Sequence, residues 1–77
     1  MSGHRYRFNI SMSKEMLLDV YKGAIQRVRV RTYEGLVLDL DANHLKNFTT
    51  KDGIHGEFEL VTTADNQFVK IIQLRKF

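Results

Sequence analysis

LKNFTTKDGIHGEFEL, from Leu45 to Leu60, is the stretch whose reading decides the fold. It holds two of the five Phe and two of the five Gly, and Lys51-Asp52-Gly53 is its turn signal. Glycine at the end of a three-residue loop suits the left-handed position of a bulged hairpin turn. On that reading Thr50 faces Ile54 and Phe48 faces Gly56, so the Phe48 ring covers backbone that has no side chain of its own. Phe48, Ile54, Gly56, Phe58 and Leu60 then line one face, while His55, Glu57 and Glu59 point the other way.

Working outward, the 77 residues form one domain, spanning 1–77 with an ordered core from about 5 to 75. Apolar residues make up 43% of the chain, which is the composition of a globular domain. The absence of cysteine excludes disulfides, Cys-ligated zinc and thiol catalysis. No apolar run approaches a membrane span and the start, MSGHRYRF, is unlike a signal peptide, so a cytoplasmic protein without membrane contact is expected. Twelve Lys and Arg against nine Asp and Glu give a net charge of +3, which permits nucleic acid without demanding it.

Upstream, Tyr6, Phe8 and Ile10 alternate with Arg5, Arg7 and Asn9, the period of a strand with one apolar face. Ser11 is expected to cap the helix that follows, with Lys14 at its third position and Gly23 past its end. Met16, Leu17, Val20 and Tyr21 share one face of that helix. The run AIQRVRVRTYEGLVLDLD (24–41) is a hairpin whose register can be argued. A three-residue loop at Tyr33-Glu34-Gly35 sets Val30 against Leu38 and Val28 against Leu40, with Arg31 facing Val37, Arg29 facing Asp39 and Arg27 facing Asp41. A two-residue loop would set Val30 against Asp39, mixing the faces, so the longer loop is expected. Downstream, the strand from Phe68 to Leu74 is expected to set Leu60 against Ile72, Phe58 against Leu74 and Glu57 against Arg75. Ile71 then lies on the second face, against the helix or as an association patch with Val61.

The expected architecture is α+β. One α-helix packs on a bent antiparallel sheet of five to six short strands, in the order β-α-β-β-turn-β-β.

Catalytic groupings are absent from this pattern. Ser2, Ser11 and Ser13 form no nucleophile motif, and Gly53 and Gly56 are followed by no Lys-Ser/Thr of a phosphate loop. The chain is also expected to be too short to enclose a typical ligand pocket of roughly 300–1,000 Å³ unless a dimer builds one. No enzyme, cofactor, catalytic residue or metal site is expected. His44, Asp52 and His55 stand as a candidate ligand loop, with His55 beside Asp52 the one pair that architecture leaves unexplained. The Arg27, Arg29, Arg31 stripe reads as a solvated face, because two of its three arginines have acidic residues opposite.

The succession FNIS, YKG, VRVRTYEG, the Leu45-to-Phe48 spacing and DGIHGEFEL resembles a family of short bacterial proteins, domain of unknown function 2835, from about Tyr6 to Leu74. Gly53, Gly56 and Phe58 carry its most specific part. The chain departs from the family in lacking a Pro before Leu45 and in having Lys14 where acidic residues commonly follow the capping Ser. The resemblance implies no activity. The leading expectation is a small non-enzymatic binding or accessory module, acting on an unknown protein partner or by self-association through unpaired first or last strands. The alternative is a nucleic-acid-binding module using Arg5, Arg7, Arg31, Arg75 and Lys76.

Overall fold

The computed structural model describes residues 3–77, so Ser2 lies outside the described residues. Five strands and two helical segments follow in the order β1 (His4–Met12), α1 (Lys14–Tyr21), β2 (Arg27–Arg31), β3 (Val37–Asp41), a 3-10 helix (Ala42–Phe48), β4 (Ile54–Thr62) and β5 (Phe68–Lys76). The fold is α+β and mostly strand. The strands form two antiparallel sheets, β1-β4-β5 and β2-β3, where one bent sheet was expected. The two meet at a single bridge, Phe8 with Thr32, beside a hydrogen bond from the Tyr33 N–H to the Arg7 carbonyl.

Pattern and burial agree along β1. Phe8, Ile10 and Met12 are buried at alternate positions, and they face Phe58, Gly56 and Ile54 of β4. Because Met12 continues that alternation, the strand runs past Ser11 and the helix begins two residues later than expected. Ser13 is the N-cap, its Oγ accepting from the Met16 N–H at 3.2 Å. Lys14 is therefore the first helical residue and not the third. Only Leu17 and Val20 of α1 are buried. Met16 and Tyr21 stay about half exposed, and Tyr21 instead bonds Thr49 Oγ1 through its hydroxyl and lies under Lys46 Nζ.

The β2–β3 hairpin has the expected register at every pair from Arg27–Asp41 to Arg31–Val37. Its loop is the three-residue one, with Gly35 at φ +91° and the Thr32 N–H donating to the Leu36 carbonyl. Val30 and Leu40 enter the core, joined by Ala42 and Leu45 of the 3-10 helix.

The opening stretch departs most from its sequence reading. Phe48 ends the 3-10 helix and sits edge-on to Phe58 at 5.2 Å between centroids, so no strand precedes the turn. Thr50 pairs with Gly53 around Lys51-Asp52, a two-residue loop. Ile54 is thereby free to pair with Met12. A Cβ on Gly53, at φ +107°, would fall 2.0 Å from the Met12 carbonyl oxygen, so this turn is pressed onto the end of β1.

Gly56 is bare for β5 rather than for Phe48: a Cβ there would meet the Arg75 carbonyl oxygen at 2.3 Å. At that approach Leu74 bulges out of register, and Val69 does so at the other end of the pairing. Glu57 faces Arg75 as expected. Phe58 faces Gln73 instead of Leu74, and Leu60 faces Ile71 instead of Ile72. The Leu74 bulge thus turns Ile71 against the core and sets Ile72 opposite Glu59.

Candidate anion-binding face

The outer face of β1-β4-β5 carries the residues left over by the inner alternation. These are Arg5, Arg7, Asn9 and Ser11 from β1, and His55, Glu57, Glu59 and Val61 from β4. Two carboxylates on an exterior face would ordinarily be solvated. Here Glu57 and Glu59 are only 9% and 6% exposed. Burial of an ionised carboxylate is tolerable only when charge and hydrogen bonds replace its water. Both receive that replacement from neighbouring elements.

Glu59 lies between two arginines of β1. Arg5 Nη1 donates to Oε1 at 2.8 Å and Arg7 Nε donates to Oε2 at 3.2 Å. Arg75 Nε, from β5, donates to Glu57 Oε1 at 3.1 Å. The Tyr33 hydroxyl, reaching over β1 from the β2–β3 loop, donates to Glu57 Oε2 at 2.6 Å. The Asn9 amide lies 2.7 Å from the same phenol oxygen. The Tyr33 hydrogen bond, then Arg75, holds the Glu57 carboxyl below its ordinary pKa; Arg5 and Arg7 do the same for Glu59. The same Glu57 contact raises the Tyr33 phenol.

The cationic ends remain largely in water. The side chains of Arg5, Arg7 and Arg75 are 62%, 61% and 72% exposed. A guanidinium has five N–H donors in a planar fork. Each of these arginines spends one on its glutamate and keeps others accessible to water. Lys70, opposite Val61 on β5, belongs to the same face.

The Arg27, Arg29, Arg31 stripe keeps its register and loses most of its neutralisation. Asp39 is opposite Arg29 but bridges Arg27, at 3.3 Å. Asp41 is opposite Arg27 but accepts from the Asn43 N–H at 2.9 Å, capping the 3-10 helix. That cap, a backbone hydrogen bond first of all, lowers the Asp41 carboxyl. Among the described residues, Arg29 and Arg31 have no carboxylate within 4.0 Å. The expectation of a self-neutralised stripe therefore holds for Arg27 alone.

Arg29 and Arg31 line a cleft of about 470 Å³ between β1 and β2, with Asn9, Ser11, Met16 and Tyr33 on its other walls. A second cleft, about 400 Å³, lies between Arg5, Arg7, Tyr33, Glu34 and Glu59. The chain is thus large enough to carry open clefts within the range expected of ligand sites. Tyr33 is a wall of both.

Of the five basic candidates read from the sequence, Arg5, Arg7 and Arg75 come together, and Arg31 joins them across Tyr33. Lys76 pairs with Gly56 and, among the described residues, makes no ion pair. Glu57, Glu59 and Asn9 were not singled out in the sequence, although their alternation with Phe58, Phe8 and Ile10 puts them on the arginine face.

The ligand-loop candidates do not converge. His44 stacks on Phe68 at 3.8 Å, beside Asp41, Thr62 and Asn66. His55 bonds the Asp52 backbone carbonyl through Nε2 at 2.8 Å and Ser11 Oγ through Nδ1 at 3.0 Å. Its partner is the Asp52 carbonyl rather than the carboxylate, and the contact ties the turn to β1. Among the described residues no group of three or more His, Cys, Asp or Glu could hold a metal ion, and no helix is long and apolar enough to cross a membrane.

The family model described as "Protein of unknown function (DUF2835)" matches residues 4–74 of the chain. No curated protein and no solved structure matches it.

Proposed function

The chain belongs to the DUF2835 family, and for a member whose family description names no activity we propose a non-enzymatic binding module that takes an anionic polymer, a nucleic acid, on the outer face of its three-stranded sheet. The observation that carries this reading is the pairing of buried glutamates with exposed arginines. Arg5, Arg7, Lys70 and Arg75 outnumber Glu57 and Glu59 by two charges (4 − 2); at the margin Arg29 and Arg31 add two and Glu34 takes one away. A cation already fixed in place loses less side-chain entropy on meeting a phosphate than a free one does. The face is therefore better suited to holding anions than the chain's net charge of +3 suggests.

Salt dependence tests this. Binding of a short oligonucleotide should weaken linearly in log K against log salt, with a slope of about −0.7 per phosphate contacted on a single strand. Arg5→Gln/Arg7→Gln should reduce both affinity and slope. Absence of any binding at low salt, to single strands or duplexes, would remove the reading.

A second reading, protein contact, is favoured by one observation. β5 is hydrogen-bonded on one side only and exposes Phe68, Val69 and Leu74. The strand carries Lys70, Arg75 and Lys76 and no acidic residue. A second copy would bring like charges together, so the partner this edge suits is an acidic extended segment of another protein. Two bulges and three cations also blunt the edge, which weighs against this reading as the main one. Sedimentation with and without an acidic, β-prone peptide separates the two.

A further inference from the structure

Tyr33 is an exposed aromatic held at both ends. Its N–H donates to the Arg7 carbonyl at 3.0 Å, and its hydroxyl is fixed by Glu57 and Asn9. Between those anchors the residue is 57% exposed. A tyrosine that merely covered the edge of β1 would bury its ring and leave its hydroxyl to water. This one has its polar end tied down while more than half of the residue stays exposed.

Its surroundings are equally specific. On one side are Arg5 and Arg7, on the other Arg29 and Arg31, each pair lining its own cleft with Tyr33 as the shared wall. The cleft of Arg5 and Arg7 also holds Glu34 and Glu59, but an aromatic ring flanked by arginines on both sides matches a chain that alternates flat apolar groups with anionic ones.

We propose that Tyr33 is a stacking platform for a base of single-stranded nucleic acid, whose phosphates on either side of that base lie on Arg5 and Arg7 in one cleft and on Arg29 and Arg31 in the other. This rests on the reading of the outer face as an anion-binding surface, and adds to it the strandedness of the ligand and the residue that selects it. A base in a duplex is already stacked and cannot use the ring, whereas every base of a single strand offers a face to it. Because the ring is fixed before binding, its contribution is not spent on ordering the loop. Stacking on one aromatic tolerates any base, so the expected preference is for single strands over duplexes, with little preference among sequences.

The experiment uses the full chain with a short oligothymidine, a duplex of equal phosphate number and inorganic polyphosphate as ligands. Tyr33→Leu should weaken oligothymidine binding roughly 5- to 150-fold and change polyphosphate binding far less. Tyr33→Phe, which keeps the ring and loses only the hydroxyl anchor, should retain most of the affinity. The chain has no tryptophan, so Tyr33→Trp provides a lone reporter whose emission should change with oligothymidine and stay constant with polyphosphate. Equal affinity of the native chain for duplex and single strand, or an unaltered oligothymidine affinity in a folded Tyr33→Leu variant, overturns the stacking role and leaves the electrostatic reading intact. Binding of acidic peptide but of no nucleic acid or polyphosphate overturns both.

Discussion

β4 is buried on both sides, and the two sides are closed by opposite chemistries. Its inner face presents Ile54, Phe58 and Leu60 to a core of rings and branched carbons, with Phe8 stacked across from Phe58 at 6.2 Å. Its outer face presents Glu57 and Glu59 to arginines and a phenol. Inner burial removes apolar surface from water and needs no direction. Outer burial works only while each carboxylate oxygen has a donor aimed at it. The inner side is therefore tolerant of geometry and intolerant of lost volume, and the outer side is the converse.

The comparison can be broken first from the inside. Phe58→Ala empties a fully buried site against Phe8 and Phe48 and should cost about 3–5 kcal/mol of unfolding free energy, read from denaturant melts. A loss no larger than that of a surface substitution would mean the inner face is not the main source of stability.

A smaller and asymmetric effect is expected outside. Glu59→Gln removes a buried charge and leaves two arginines that water already reaches, so its melting point should fall only slightly. Arg5→Gln/Arg7→Gln leaves the buried Glu59 carboxylate without either cation and should lower the melting point more. The reverse order would show that Glu59 is solvated in the folded protein.

Acid provides the mildest probe. Glu57 and Glu59 both have folded pKa values below their unfolded ones. Their stabilisation is therefore complete above the unfolded value, about 4.3, and is lost as pH falls through the folded values. Glu57→Gln/Glu59→Gln should flatten the acid limb of stability against pH, with the lowered Asp41 supplying what slope remains. Tyr33 acts in the other direction: its raised pKa gives stability that is present below about 10 and lost as pH rises through the folded value. An acid limb identical in the double variant would exclude the outer carboxylates from the linkage.

What could be read from the sequence follows the distance over which each feature is decided. The β2–β3 register is set within fifteen residues, 27–41, by two alternating strands and a loop whose length must keep Val30 opposite Leu38, and it came out pair for pair. The partner of β4 is decided globally. The adjacent segment from Phe48 to Thr50 suits it as well as β1 does, and nothing local marks Met12 as the residue that Ile54 will face. The β5 register was missed by one because a bulge is invisible in alternation. Its cause, the bare Gly56 under the Arg75 carbonyl, exists only once the strands are together. For the site, Arg5, Arg7 and Arg75 were legible as charges on strand and terminal positions. Their anchoring was not, since Glu57 and Glu59 are buried by side chains arriving from three other segments.

Pairing of β1 with β4 joins residues 42 positions apart at one end (54 − 12) and 58 at the other (62 − 4). Loop-closure entropy must be met before any of those contacts forms, whereas the β2–β3 hairpin needs only a three-residue turn. The order of events in folding is therefore built into the topology. The hairpin and α1 can assemble early, but until the second half of the chain arrives β1 has only the Phe8–Thr32 bridge to hold it. During synthesis its β4 side stays unpaired until Ile54–Thr62 has been made, so a strand made early is among the last to be secured.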